Sequence, residues 1–473
     1  MDNDRTIFIP IGRAGHVRNL LFNDFFKLLS NKYRVVFLVS DTDPEFCKKF
    51  AGYDIEILLH RSLTPFKKRL ERIFISIHRA LIFNPSSEVF AGLGRGTSVN
   101  GVLLASGEAV KYKRLRYFLA RYIFGILLAR KSIRVFFKFL DRIIFPCRLY
   151  DALIDKYKPA LVFITSIGSD DQIALLRNCQ ARHIPSLGMA GSWDNLSKWG
   201  FREKADIFVV WSQYMEEEAL KFQGYAEDKL RIVGVPQFDY YKNPNLLIGK
   251  DEFVKKFKVD PTKKIILFGS EGPICEDDPY VVSFLQEKIK DGTLANYQVL
   301  VRPHFSYKTD INRYLQFVDN ETVFIDTYHE VSEFKDRTAL SLNTVKNLMA
   351  EIRYSDVAIT SASTLVLDIV ANGKFPILYS FDKDKDKPLK ESTKRFYGSL
   401  WFREIIKMGL DNMVNSENEL IEKIKEVSQN PDKDFDKREK LLERFCYRID
   451  GNSGKRLFEV IDDYLNSQTN LSL

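Results

Sequence analysis

The chain has 473 residues, 45% of them hydrophobic and 28% charged, with a formal net charge of +8. That length exceeds one typical core and suits two domains, and the composition excludes a disordered or low-complexity chain. Five scattered cysteines without a CxxC pair exclude a disulfide framework and a cysteine zinc site, and fit a reducing cytoplasm.

In chain order, "TIFIPIG" reads as a strand, residues 16–30 as a helix and "YRVVFLVS" as a second strand, a β-α-β opening. Asp41 and Asp43 imitate a metal-binding DxD, but an acidic loop after a second strand is common and no metal is expected there. Residues 65–155 read as a helical insertion. Within it, the glycine-rich 92–101 lacks the preceding strand and the lysine of a P-loop and reads as a plain loop. Between Lys111 and Arg142, ten basic residues face one acidic residue and interleave with phenylalanines. Such a helix suits an anionic membrane surface; equally, it suits an insertion that packs its apolar stripe inward and leaves its cations in water. No nucleic-acid motif accompanies the charge. The apolar run 117–130 is broken by Arg121 and falls short of the roughly 20 residues of a spanning helix, so no transmembrane segment is expected.

The α/β rhythm resumes with "ALVFIT", a helix over 172–179, "PSLGMA", "DIFVVWS", a helix ending at Gly224, and "LRIVGVP". "GVPQFDYYKNPN" reads as a linker. A second series follows: "KIILFGS", a helix over 280–289, "YQVLVRPH", "TVFID", a helix over 345–353, "DVAIT", a helix after Ser363, and "PILYS". The expectation is an α/β protein of two Rossmann-like parallel-sheet domains, 1–240 and 241–440, facing a central cleft, with a C-terminal helix in 441–473 crossing back to the first.

Candidate site residues sit where strands end. Thr360, Ser361, Ser363 and Thr364 stand between the strand "DVAIT" and the next helix, where backbone N–H groups and hydroxyls can seat a phosphate; a serine there also serves as an ordinary N-cap. Arg302 and His304 follow "YQVLV", and Gly269, Ser270, Glu271 and Gly272 end "KIILF". A strand-end histidine beside an arginine is placed to bind a diphosphate or protonate its departing oxygen. In the first domain, Gly12, Gly15 and His16 form a small-residue loop after the first strand, with His16 a candidate base. Trp193, Asp194 and Asn195 combine indole, carboxylate and amide in a sugar-binding pattern, with Asp194 a second candidate base; an Asp-Asn pair also makes simple turns.

"VRPHF" at 301–305 and "ITSASTLVLD" at 359–368 carry a family resemblance. The C-terminal half resembles the nucleotide-binding domain of GT-B-type transferases of bacterial surface carbohydrates, especially the CDP-glycerol glycerophosphotransferase and CMP-sugar transferase group. Those proteins carry an R-x-HP element and a strand running into TDYSS with an aspartate in the helix. Arg302, His304, Thr360, Ser363, Thr364 and Asp368 match, while Phe305 replaces the proline and Ser361 the aspartate. The resemblance spans residues 185–385. It implies a GT-B fold, with Gly269, Ser270, Glu271, Arg302, His304, Ser361, Ser363, Thr364 and Asp368 on the donor side, Gly12, Gly15, Trp193 and Asn195 on the acceptor side, and neither metal nor cofactor.

The expected activity is transfer of a sugar from a nucleotide-activated donor to a hydroxyl of a surface glycan or lipid-linked acceptor, in the cytoplasm or at the inner face of the membrane. A polyol-phosphate transferase of the CDP-glycerol type is the first alternative. A sugar-nucleotide 2-epimerase is a second, but that family's loop ends in paired glutamates where this chain has Leu367 and Asp368. A catalytically silent membrane-docking scaffold is a third.

Overall fold

The computed structural model describes residues 5–12, 14–39, 47–48, 50–82, 84–90, 131–305, 307, 309–327, 342–389, 392–409, 412–433 and 435–471. The DxD look-alike at Asp41 and Asp43, the loop 92–101 and the basic stretch up to residue 130 lie outside them. The described residues fall into two compact units, 5–90 with 131–239 and 444–471, and 240–443.

The first unit opens with β1 (Thr6–Ile11), α1 (Ala14–Leu20), α2 (Asp24–Lys32) and β2 (Arg34–Val39). The single helix expected over 16–30 is two, because Asn23 interrupts it and accepts the Phe25 N–H at 3.1 Å, an N-cap that starts α2 afresh. After β3 (Asp54–Ile57) come α3 (Pro65–Ala80) and α4 (Lys131–Ile144), then β4 (Leu161–Ile164), α5 (Asp170–Ala181), β5 (Ser186–Met189), β6 (Ile207–Val210), α6 (Gln213–Glu218) and β7 (Leu230–Ile232). Gly224, at φ +69°, closes the helical stretch after α6 in the left-handed conformation that glycine adopts at no steric cost. The seven strands form one parallel sheet in the order β3-β2-β1-β4-β5-β6-β7. All six residues of β1 are buried, as a strand covered on both faces requires.

Two insertion helices are stitched to this sheet by buried charges. Asp141 of α4 accepts Arg202 through Nε at 2.9 Å and Nη2 at 2.8 Å, and meets Arg177 at 3.1 Å and His78 of α3 at 3.0 Å. Arg177 also bonds Glu203 at 2.6 Å, and Glu71 of α3 pairs with Arg61 and Arg202. Asp141 is fully buried; its guanidinium and imidazole partners hold its carboxyl below the usual carboxylate range against the opposing effect of burial.

The second unit carries β8 (Lys264–Gly269), α7 (Asp278–Lys290), β9 (Tyr297–Arg302), β10 (Val323–Ile325), α8 (Leu342–Tyr354), β11 (Val357–Thr360), α9 (Leu365–Ala371), β12 (Ile377–Tyr379) and β13 (Met413–Val414). Its six strands are parallel in the order β10-β9-β8-β11-β12-β13. Strand alternation divides the core in two. Ile266 and Phe268 face a cluster with Val281 and Leu285 of α7, while Ile265 and Leu267 face another with Ala350 and Ile352 of α8. The last helix, α10 (Ser453–Leu471), belongs to the first unit and packs on α2, where Asp462 takes Tyr33 Oη at 2.5 Å and Lys32 Nζ at 2.5 Å. All five cysteines are free thiols.

Candidate functional site

Both strand orders reverse once, between β1 and β4 and between β8 and β11, and a ligand of an open parallel sheet binds outside the carboxyl ends at such a point. The second reversal gathers the candidate donor loops. Gly269 ends β8, and a Cβ there would displace the end of the Leu365 side chain and stand 3.6 Å from Thr360 Oγ1. The Thr360 hydroxyl donates to the Gly269 carbonyl at 3.1 Å. Gly272, at φ +69°, lies under Tyr307, whose ring would be 2.5 Å from an added Cβ, with His304 Cβ at 3.3 Å. The loops after β9, β8 and β11 therefore pack against one another as a continuous crest.

Within that crest the hydroxyls differ in their duties. Ser270 is buried, donates to Asp278 Oδ2 at 3.0 Å, and accepts Gly272 N at 2.9 Å and Tyr314 Oη at 2.7 Å. Ser363 accepts the Leu365 N–H at 3.1 Å, acting as a cap, and Ser361 meets the Cys275 thiol at 3.5 Å. Thr364 is exposed at the start of α9, and its side chain makes no capping bond. His304 is half-buried; its backbone N–H donates to Asp310 at 2.8 Å, and its ring packs on Phe305 and Tyr307, with centroids 4.9 and 5.0 Å away. Asp368 accepts the Tyr241 hydroxyl.

Arg302 sits differently from the sequence expectation of a phosphate-binding guanidinium. It is buried, and Nη1 reaches Asp326 at 3.1 Å and Glu351 of α8 at 2.7 Å. Its charge is already met by carboxylates that sequence reading missed, since they stand far along the chain. Asp278 was missed as well. It accepts Ser270, the Glu271 N–H at 2.7 Å and the Tyr379 hydroxyl, and burial pushes its carboxyl up to about 7. Its one sequence signal is an aspartate opening a helix eight residues after the β8 loop begins.

At the first unit's reversal, the β1–β4 register stops at Phe8 and Val162, and Pro10 has no N–H to extend it. Thr165 fills the gap: its hydroxyl donates to the Pro10 carbonyl at 2.7 Å, accepts Gln172 Nε2 at 3.0 Å, and lies 3.1 Å from His16 Nδ1. The same Nδ1 accepts the Gly12 N–H at 3.3 Å, so both contacts fall on one ring nitrogen of His16. Gly15 lies in α1 with open space around its Cα. Trp193 is buried edge-on against Phe445 at 5.3 Å, in the core instead of on a sugar-stacking face. Asp194 is buried and bonded by Asn195 at 3.0 Å and by Lys198, so its charge is matched. Behind it, burial and the nearby Asp194 raise Glu218 to about 8.

Among the described residues, no group of three or more His, Cys, Asp or Glu side chains is disposed to hold a metal, and no helix is long and apolar enough to cross a membrane.

The CDP-glycerol:poly(glycerophosphate) glycerophosphotransferase family model matches residues 190–463, which include the whole crest. The chain belongs to this family. It is a transferase of GT-B type. Two solved structures share its fold: a putative UDP-N-acetylglucosamine 2-epimerase from Listeria monocytogenes, at a TM-score of 0.52 and 10% identity over 98% of this chain and 97% of that one, and S. aureus MnaA with UDP, at 0.51 and 11% over 98% and 97%. The wall teichoic acid polymerase TagF is matched at a TM-score of 0.46, with 13% identity over 99% and 90%. No curated protein matches the chain.

Proposed function

We propose that this glycerophosphotransferase-family member transfers a polyol phosphate from a CDP-activated donor to a hydroxyl of a cell-surface polymer, at the cytoplasmic face where free thiols persist. The observation that carries the reading is the crest of three adjoining strand-end loops around His304, inside the matched residues. A sugar donor, the first expectation of the sequence, is the second reading; it keeps the same seat.

The donor diphosphate lies on the backbone of 270–272 and 361–365, with His304 and Thr364 as its side-chain contacts. Ser270, Ser363 and Asp278 shape those loops, and Arg302 fixes the end of β9 through Asp326 and Glu351 instead of touching phosphate. The acceptor oxygen attacks the phosphorus bearing the polyol, the bond from that phosphorus to the bridging oxygen breaks, and CMP leaves. His304 donates to the bridging oxygen as charge builds there. In the first unit, His16 beside Thr165 is the candidate base in preference to Asp194, whose carboxylate is tied to Lys198.

The test is CMP release from CDP-glycerol with a glycerol-phosphate-primed acceptor. His304→Ala should slow it by about 10²–10⁴-fold, the usual contribution of a positioned acid or base. Release of a nucleoside diphosphate from a nucleotide sugar, with CDP-glycerol inert, would replace the polyol reading by the sugar reading.

A further inference from the structure

Two polar side chains on α8 are buried without the bonds that burial calls for. Asn347 is 1% exposed, and among the described residues neither its Oδ1 nor its Nδ2 has a hydrogen-bond partner. Glu351 is fully buried; its Oε2 accepts Arg302 Nη1 at 2.7 Å, while Oε1 has no partner. Leaving a buried donor or acceptor unpaired costs stability, and native structures leave few of them. A helix face that served only the core would carry an apolar residue at 347, as α8 does at Ala350 and Ile352, which pack under β8.

Asn347 and Glu351 stand four residues apart and so share one face of α8. Glu351 fixes where that face looks, because it meets Arg302 at the carboxyl end of β9, and Arg302 in turn meets Asp326 just beyond β10. α8 follows β10 and precedes the parallel β11, so it runs back from the carboxyl ends of the strands toward their amino ends. Asn347, one turn nearer the start of α8, is therefore nearer than Glu351 to the edge of the sheet that carries the crest. Arg302 stands two residues before His304, so the unmet amide borders the donor seat on the side of β9 and β10.

Phosphate does not suit this place: Asp326 and Glu351 bring two carboxyl groups, and Arg302 Nη1 is committed to both. The asparagine amide instead holds an acceptor and donors in one plane. A nucleobase edge is planar as well and sets a donor beside an acceptor, which an amide side chain meets with two parallel bonds. We propose that Asn347 reads the base of the nucleotide donor, with Glu351 Oε1 as a further polar contact on the same edge. The inference rests on the donor seat proposed above and puts the base beyond the phosphates, toward β10. The amide can turn over, so it serves cytosine or uracil alike; under the CDP reading the base is cytosine. Asn347 is a specificity residue and takes no part in bond breaking.

The experiment is isothermal titration of the full chain with CMP, CDP, UDP and GDP, and with pyrophosphate as the probe that lacks a base. The proteins are the parent, Asn347→Leu and His304→Ala. The parent should prefer one nucleotide. Asn347→Leu should weaken that nucleotide by roughly 10–100-fold, as loss of a two-bond base contact does, and leave pyrophosphate binding unchanged; His304→Ala should weaken both. Leucine is branched like asparagine and removes the unmet polar atoms, so the unliganded variant should melt no lower than the parent. Asn347→Ala, which suits a helix, repeats the test if leucine is not accommodated. Undiminished binding of the preferred nucleotide by these variants, or equal weakening of pyrophosphate, would overturn the assignment and leave the donor seat standing. Failure of the parent to bind any nucleotide would overturn the donor seat, and this inference with it.

Discussion

Asp278 is the residue at which electrostatics and loop shape meet. Its Oδ2 accepts two donors, Ser270 Oγ and Glu271 N, so a proton on this carboxyl belongs on Oδ1, facing Tyr379. The folded-state value of about 7 lies above the ordinary 3.8, so the folded protein holds this proton more tightly than the unfolded chain. The stability it contributes is complete below about pH 4 and is lost as pH rises through 7. Asn in its place reproduces the protonated form: Oδ1 of the amide takes the two donors and Nδ2 faces Tyr379. Melts between pH 5 and 8 should show Asp278→Asn gaining stability relative to the parent as pH rises, with the difference flattening once pH exceeds 7. The placement of His304 and of the hydroxyls at strand ends was legible in the sequence, because a polar residue closing an apolar run is a local signal. The duties of Arg302 were not. Its partners Asp326 and Glu351 stand 24 and 49 residues further on, and only the fold brings them within reach.

At the scale of elements, the strands of both sheets were legible wherever a run of branched and aromatic residues was continuous. β3 was missed because "DIEI" at a sheet edge alternates charge with isoleucine, and β13 because it has two residues. The orientation of α4 was illegible for a different reason. Periodicity shows that a helix has two faces, not which one is inside, and the deciding partners His78, Arg177 and Arg202 lie outside it. This makes Asp141 the keystone of the insertion. Asp141→Ala should cost about 3–5 kcal/mol, the penalty of leaving buried cations uncompensated. Urea unfolding followed by circular dichroism measures it. A cost under 1 kcal/mol would show that the network does not hold α4.

At the scale of the molecule, the two-domain α/β plan followed from the repeated strand-helix rhythm, and the family from two short elements, "VRPHF" and "ITSASTLVLD". The C-terminal helix adds a covalent consequence: α10 closes the first unit although the second intervenes in the chain. Leu457, Ile461 and Leu465 are buried, and removing them uncovers apolar surface worth about 1.5–3 kcal/mol per side chain. Truncation after residue 450 should therefore lower the melting temperature and the soluble yield, while a cut after 466 should do neither.

The most direct test of the donor seat is a thermal-shift panel of CMP, CDP, UDP, GDP and ADP on the parent chain and on His304→Ala, with and without magnesium. A nucleotide present at 100 times its dissociation constant adds about 2.7 kcal/mol of stability. A cytidine nucleotide should raise the melting temperature of the parent, and the shift should be lost in His304→Ala. Stabilisation that survives in His304→Ala, or no shift with any nucleotide at millimolar concentration, would contradict it.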